Sequence, residues 1–166
     1  MKKIGFYLLL ISFLSCSKDN DDIINTDLVG IWENTFILEI GDISSVQEEG
    51  FEHVVQYTFN LNQSFEYGSF IRNIDSGSIL AYSHRYLGHY GIEGNRLNLI
   101  FEHWGAEPLD NQYSELKNIN ELVLVTENET WSFSYSISQN KKLVFDYDPC
   151  GPLENCIDKS TLYRIK

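Results

Sequence analysis

Histidine and serine are the residue types of this chain that could support catalysis or metal binding, and their spacing favours neither. The four histidines are His53, His84, His89 and His103. His84 and His89 are five residues apart, so on a regular strand they face opposite sides. No His-x-His pair and no neighbouring cysteine supplies the ligand spacing of zinc, and no Gly-x-Ser-x-Gly nucleophile elbow occurs. We therefore predict solvated surface histidines, no metal, no cofactor and no catalytic residues.

The first fifteen residues have the three-part chemistry of an export signal. Lys2 and Lys3 form a positive head, residues 4–14 are predominantly apolar, and Ser15 is a small residue at the end. This is the layout of a signal peptide. The apolar run is shorter than the roughly 20 residues that span a bilayer, so residues 1–15 are predicted to be removed.

The residue after this segment is Cys16, and the three residues before it resemble a known processing motif. The stretch Phe13-Leu14-Ser15-Cys16 resembles the lipobox of bacterial lipoproteins. The resemblance implies that Cys16 becomes the acylated first residue and ties the protein to a membrane, since stable anchoring takes two or more acyl chains. Residues 16–27 are then a lipidated, acidic tether, because this polar composition cannot form a core.

The tether also indicates a location. Residues 17–22, Ser-Lys-Asp-Asn-Asp-Asp, resemble the acidic segment of Bacteroidetes lipoproteins. That resemblance implies a lipid anchor in the outer membrane with the domain exposed on the cell surface, and the periplasmic face is the alternative. The membrane is thus a predicted partner. Nucleic acid is not, because the chain carries a formal charge of −12 and phosphate backbones repel it.

The two remaining cysteines are predicted to pair. Cys150 and Cys156 flank a bend at Gly151-Pro152, and an exported protein meets no reducing cytoplasm. With Cys16 taken by lipid, a disulfide between the other two leaves no free thiol. Acidic residues in segment 146–158 leave calcium open as a minor alternative.

Period-two alternation runs through residues 28–166 and predicts an all-β fold. The clearest case is 131–138, where large apolar residues alternate with serine, as on a strand with one buried face. Strands separated by hairpin turns are predicted at the following positions: 32–40, 52–60, 64–72, 78–83, 84–92, 96–103, 121–126, 130–138, 142–148 and 160–166. Eight to ten short antiparallel strands indicate a β-sandwich or an up-and-down barrel, and a barrel would require the first strand to pair with the last.

The opening of this domain carries a family resemblance. Gly30-Ile31-Trp32 resembles the first lipocalin motif, and residues 28–166 look like the lipocalin-like domains of Bacteroidetes lipoproteins. The resemblance implies that Trp32 closes the barrel floor and that a basic residue, here Arg164, covers it. The Thr-Asp-x-x-Tyr motif of typical lipocalins is missing, so the ligand class is not carried over.

The aromatic residues, 14% of the chain, are the main candidates for a binding site. An eight-stranded barrel either packs solid or holds one small ligand. A lumen lined by aromatic rings is predicted because the glycines 68, 88 and 91 add no volume between them. The candidate ligand-binding residues are Tyr57, Phe59, Tyr67, Tyr90, Phe133 and Tyr135. The competing interpretation is that Leu97, Leu99, Phe101 and Ile137 fill the interior.

Three functions are compatible with these observations. The first is a membrane-tethered module that binds a small hydrophobic or amphipathic molecule. The second is a solid-core surface module that contacts a protein or glycan through its loops. The third, an exported hydrolase, has the least support because no catalytic constellation is visible in the sequence.

Overall fold

The computed structural model describes residues 25–40, 49–105, 118–124, 129–139, 141–149 and 157–166. The predicted signal, the lipid cysteine Cys16, the tether up to residue 24 and the Cys150–Cys156 disulfide lie outside these ranges and stay predictions. Within them, the chain forms a short 3-10 helix, Ile119–Glu121, and nine strands. The strands are β1 (Gly30–Ile37), β2 (Phe51–Phe59), β3 (Ser64–Asn73), β4 (Ile79–Glu93), β5 (Arg96–Gly105), β6 (Val123–Leu124), β7 (Glu129–Ser138), β8 (Lys142–Asp146) and β9 (Lys159–Arg164).

The strands form one closed antiparallel sheet. Its order is β4-β3-β2-β1-β9-β8-β7-β5, and β4 pairs with β5 to complete the ring. The two-residue strand β6 pairs with the end of β5 only, so eight strands make the wall. β1 pairs with β9 through Trp32 opposite Arg164. The predicted up-and-down barrel is confirmed.

One predicted boundary is wrong. The segments 78–83 and 84–92 form the single strand β4, which has a register shift against β3 next to Ser83. The Ser83 hydroxyl donates to the Ser69 carbonyl at 3.0 Å, so the strand continues through a bulge at Ser83.

The two ends of the barrel differ. Tight hairpins close β2–β3, β4–β5 and β7–β8 at one end, with positive φ at Gln63, Gly94 and Lys141. Longer connections lie at the other end. The described chain also begins and finishes at the hairpin end, where the Ile31 amide donates to the Lys166 carbonyl at 3.0 Å. We call these the closed end and the open end.

Large side chains fill the half of the barrel near the closed end. Its fully buried rings include Trp32, Phe59, Phe65, Phe133 and Phe145. The rings of Phe133 and Phe145 are 4.6 Å apart between centroids. These rings are buried in mutual contact, as the competing interpretation of a filled interior predicts for this half.

Gly88 does not leave open space in the interior of the barrel. A Cβ on Gly88 would lie 2.9 Å from the Phe65 ring and 2.0 Å from the Ile100 carbonyl oxygen. Phe65 and the neighbouring backbone therefore occupy the volume that the missing side chain leaves. The expectation that Gly88 opens a lumen is wrong.

No helix among the described residues is long and apolar enough to cross a membrane.

Candidate functional site

A cavity of about 1210 Å³ occupies the half of the barrel toward the open end. Its wall combines aromatic rings with a few uncharged polar groups, and its one ionic side chain is Lys159, which is exposed and paired with Asp146 at 3.4 Å. The lining residues are Asn34, Phe36, His53, Val55, Tyr57, Tyr67, Thr130, Trp131, Ser132, Phe133, Tyr147, Ile157, Lys159, Ser160 and Thr161. Ligand pockets have this mixture of apolar walls and few polar groups.

A layer of aromatic rings forms the floor of the cavity. Tyr57 makes edge-to-face contacts with Tyr67 at 4.9 Å and with Phe145 at 5.2 Å between ring centroids. On the opposite side, Trp131 meets Phe101 at 4.6 Å. Such offset and edge-on geometries are the favoured ones for aromatic pairs. The layer separates the open half from the packed half.

A polar cluster lies on one wall. His53 Nε2 and the Ser69 hydroxyl are 2.8 Å apart, and the Ser69 and Ser83 hydroxyls are 2.7 Å apart. The His53 ring stacks on Phe36 at 6.2 Å. Burial lowers the pKa of His53, helped by the charge of His84, and burial also lowers the pKa of His84. The ordinary pKa of a histidine already lies below 7, and burial lowers it further. Both rings are therefore neutral at pH 7.

Tyr57 is the most buried polar residue in the lining. Tyr57 is 4% exposed, and burial raises the pKa of its phenol well above the ordinary value. Burial also raises the pKa of Tyr147, which lines the same cavity. The cavity lining thus combines hydroxyl-bearing side chains with aromatic rings.

Comparison with known proteins agrees with this architecture. The model of the lipocalin-like domain family matches residues 28–124. The chain belongs to the lipocalin-like domain family. No curated protein and no solved structure matches it.

At the closed end of the lipocalin-like domain, three residues singled out in the sequence lie together. Trp32 is fully buried and donates its indole N–H to the Leu28 carbonyl at 2.7 Å. The Arg164 guanidinium lies 5.4 Å from the Trp32 ring centroid, within cation–π range, and it donates to the Val29 carbonyl. Gly30 has a φ of 142°, and a Cβ there would lie 2.4 Å from the Lys166 carbonyl oxygen, so only glycine fits.

The six predicted ligand-binding residues divide into two groups of three. Tyr57, Tyr67 and Phe133 line the cavity of the lipocalin-like domain. Phe59 and Tyr90 are buried in the packed half and Tyr135 is half-buried. None of these three lines this cavity, and their part in ligand binding stays a prediction. The Tyr90 hydroxyl donates to the Asn60 carbonyl at 2.8 Å, and the Tyr135 hydroxyl accepts from Asn25 at 2.9 Å. Alternation shows which face points inward, but it does not give the height of a residue along the barrel axis.

Several cavity residues were missed. Asn34 and His53 lie on the inward parity of Trp32 on β1 and Tyr57 on β2, in register with that pair. Extending the alternation through polar residues would have found both. The expectation of surface histidines is wrong for His53 and His84, which are half-buried on the inner face. His89 is exposed, as predicted.

Within the described part of the chain, no group of three or more His, Cys, Asp or Glu residues could hold a metal ion. The calcium alternative concerns segment 146–158, of which residues 150–156 lie outside that part.

Proposed function

We propose that the lipocalin-like domain is a membrane-anchored binding module that takes up a small, largely apolar molecule in its cavity. The observation that carries this proposal is the split interior, in which one half is packed and the other retains about 1210 Å³ of open space. A core that only had to be stable would gain by filling such a space, since empty volume costs stability. A cavity with an aromatic floor is therefore best explained by an occupant.

The lining defines the class of molecule. Tyr57, Trp131 and Phe133 offer flat surfaces, which suit a flat or elongated apolar body. The Asn34 amide and the His53–Ser69 pair offer hydrogen bonds on one wall, which suits an occupant with a polar edge. The two together favour a small hydrophobic or amphipathic molecule.

A fluorescent apolar probe tests this proposal. The folded domain should bind the probe saturably, and Val55→Trp, which places an indole in the lining, should abolish binding without unfolding the protein. Thr58→Trp is the matched control, because Thr58 lies on the same strand with the opposite parity and should leave binding intact. Equal binding by the Val55→Trp variant would place the probe outside the cavity and count against the proposal.

Absence of probe binding by the folded wild-type domain would favour the surface interaction module. One observation supports that second function: large apolar side chains are exposed at the open end, where Ile37 is 77% and Ile157 is 71% exposed. A protein partner at that end would cover them.

The anchor is proposed from the sequence. The signal layout of residues 1–15 and the lipobox-like setting of Cys16 support lipidation and an outer-membrane location, with the cell surface favoured by the acidic residues 17–22. Cys16→Ser should release the protein from the membrane fraction. A variant that still fractionates as a lipidated species would contradict this assignment.

A further inference from the structure

Tyr57 is placed where a ligand in the cavity would meet it. Tyr57 lines the cavity and at the same time belongs to the aromatic floor, between Tyr67 and Phe145. It is 4% exposed, so any group that reaches this hydroxyl comes from within the cavity.

This hydroxyl has no hydrogen-bond partner among the residues that the structure describes. Tyr90, a second buried tyrosine, differs in this respect, because its hydroxyl donates to the Asn60 carbonyl. Native proteins rarely leave a buried polar group unsatisfied, and each exception calls for an explanation. A phenylalanine would fill the same volume without that penalty.

The surroundings of this hydroxyl are uncharged. Burial raises the pKa of Tyr57 well above its ordinary value, and three other phenols, those of Tyr67, Tyr147 and Tyr86, raise it further. The group is therefore a neutral donor at every physiological pH. Lys159, the one cation of the lining, is exposed and already paired with Asp146 at 3.4 Å. A carboxylate brought to the Tyr57 hydroxyl would therefore be buried without a free counter-charge, which is costly.

We propose that the Tyr57 hydroxyl donates a hydrogen bond to an uncharged oxygen, such as a carbonyl, at the inner end of the ligand. The cavity then selects neutral aromatic or alicyclic molecules that carry such an acceptor over hydrocarbons and over carboxylates of the same shape. This inference rests on the proposed function, since it specifies the ligand of the same cavity.

Three probes of one shape test it: acetylnaphthalene, ethylnaphthalene and naphthoate. Their affinities for the folded domain are measured by displacement of the fluorescent apolar probe. The ketone should bind about tenfold more tightly than the hydrocarbon, as one net hydrogen bond predicts, and naphthoate should bind most weakly. Tyr57→Phe should remove the advantage of the ketone and leave the affinity for ethylnaphthalene unchanged.

Unfolding by urea supplies a second readout. Because the Tyr57 hydroxyl has no partner to lose, Tyr57→Phe should keep or increase the stability of the ligand-free domain. Tyr90→Phe is the control: it should lose stability, since it breaks the bond to Asn60, and should keep the preference for the ketone.

The outcomes separate the two proposals. Equal affinity of the wild type for ketone and hydrocarbon, or an unchanged preference in Tyr57→Phe, overturns the role of this hydroxyl and leaves the cavity as an apolar binding site. Tighter binding of naphthoate overturns the selection for neutral ligands. Loss of stability in Tyr57→Phe shows that the hydroxyl is already engaged, by water for example, and also overturns it. Failure of all three compounds and of the apolar probe overturns the proposed function itself.

Discussion

Gly88→Ala is predicted to lower the free energy of unfolding strongly, although it adds only one carbon atom. Gly88 is buried in β4, opposite Phe101 on β5 and Phe65 on β3. The added Cβ would lie 2.0 Å from the Ile100 carbonyl oxygen and 2.9 Å from the Phe65 ring. The first of these atoms is backbone and cannot rotate away, so the strands themselves must move.

The cost can be worked from these distances. An ordinary contact needs about 3.4 Å, so β4 and β5 must separate locally by more than 1 Å. Overpacking of this kind costs about 1–3 kcal/mol, and a separation that large also breaks or weakens one or two ladder hydrogen bonds at about 1 kcal/mol each. We expect a loss of about 4 kcal/mol, a large part of the 5–15 kcal/mol typical of a domain.

Urea unfolding monitored by tryptophan fluorescence measures this loss. Gly91→Ala is the matched control, because Gly91 lies three residues further along the same strand and a Cβ there has nothing within 4 Å. Its free energy of unfolding should stay within about 0.5 kcal/mol of the wild type. If Gly88→Ala also stayed within that margin, the close approach of β4 and β5 would be incorrect, and with it the account of how Phe65 fills the barrel.

Two further predictions concern charge. Arg72→Met should cost about 3 kcal/mol, because it removes the cation from the 5% exposed Glu33, paired at 3.0 Å, and from Glu52, paired at 2.7 Å. Adding Glu33→Gln should restore the part of the loss that comes from the more buried Glu33, and a double variant as unstable as the single one would contradict the pairing. The free energy of unfolding should fall as the pH drops below about 6.5, because the lowered pKa values of His53 and His84 make the unfolded chain bind more protons there. Urea titrations from pH 7.5 to 5 measure this decrease in the free energy of unfolding. The decrease should be smaller in His53→Gln than in the wild type, and the exposed control His89→Gln should match the wild type. Equal decreases in all three proteins would refute the role given to His53.

Alternation of apolar and polar residues predicts the barrel well, because the residue types along each strand indicate which of its faces points inward. Phe133 and Tyr135 alternate with serines, and the face they share points inward over the whole strand. Closure could also be predicted, since Gly30 and Trp32 mark the first strand and its edge needs a partner. Trp32 indeed pairs with Arg164 across that seam.

The height of a residue in the barrel could not be predicted in the same way. It depends on stagger between neighbouring strands, which is set by hairpin lengths and by bulges such as the one at Ser83. Tyr57 and Phe59 share a face and are two residues apart, yet the cavity reaches Tyr57 and not Phe59. The polar lining was missed for another reason: His53 and Asn34 are polar residues on an inward face, where a search for apolar alternation does not look.

The rings packed at the closed end make the interior a blind cavity rather than a continuous channel. Trp32, clamped by the Leu28 carbonyl below and Arg164 beside it, blocks passage along the axis. On the proposed function, a molecule held in the cavity must therefore enter and leave on the side away from these rings.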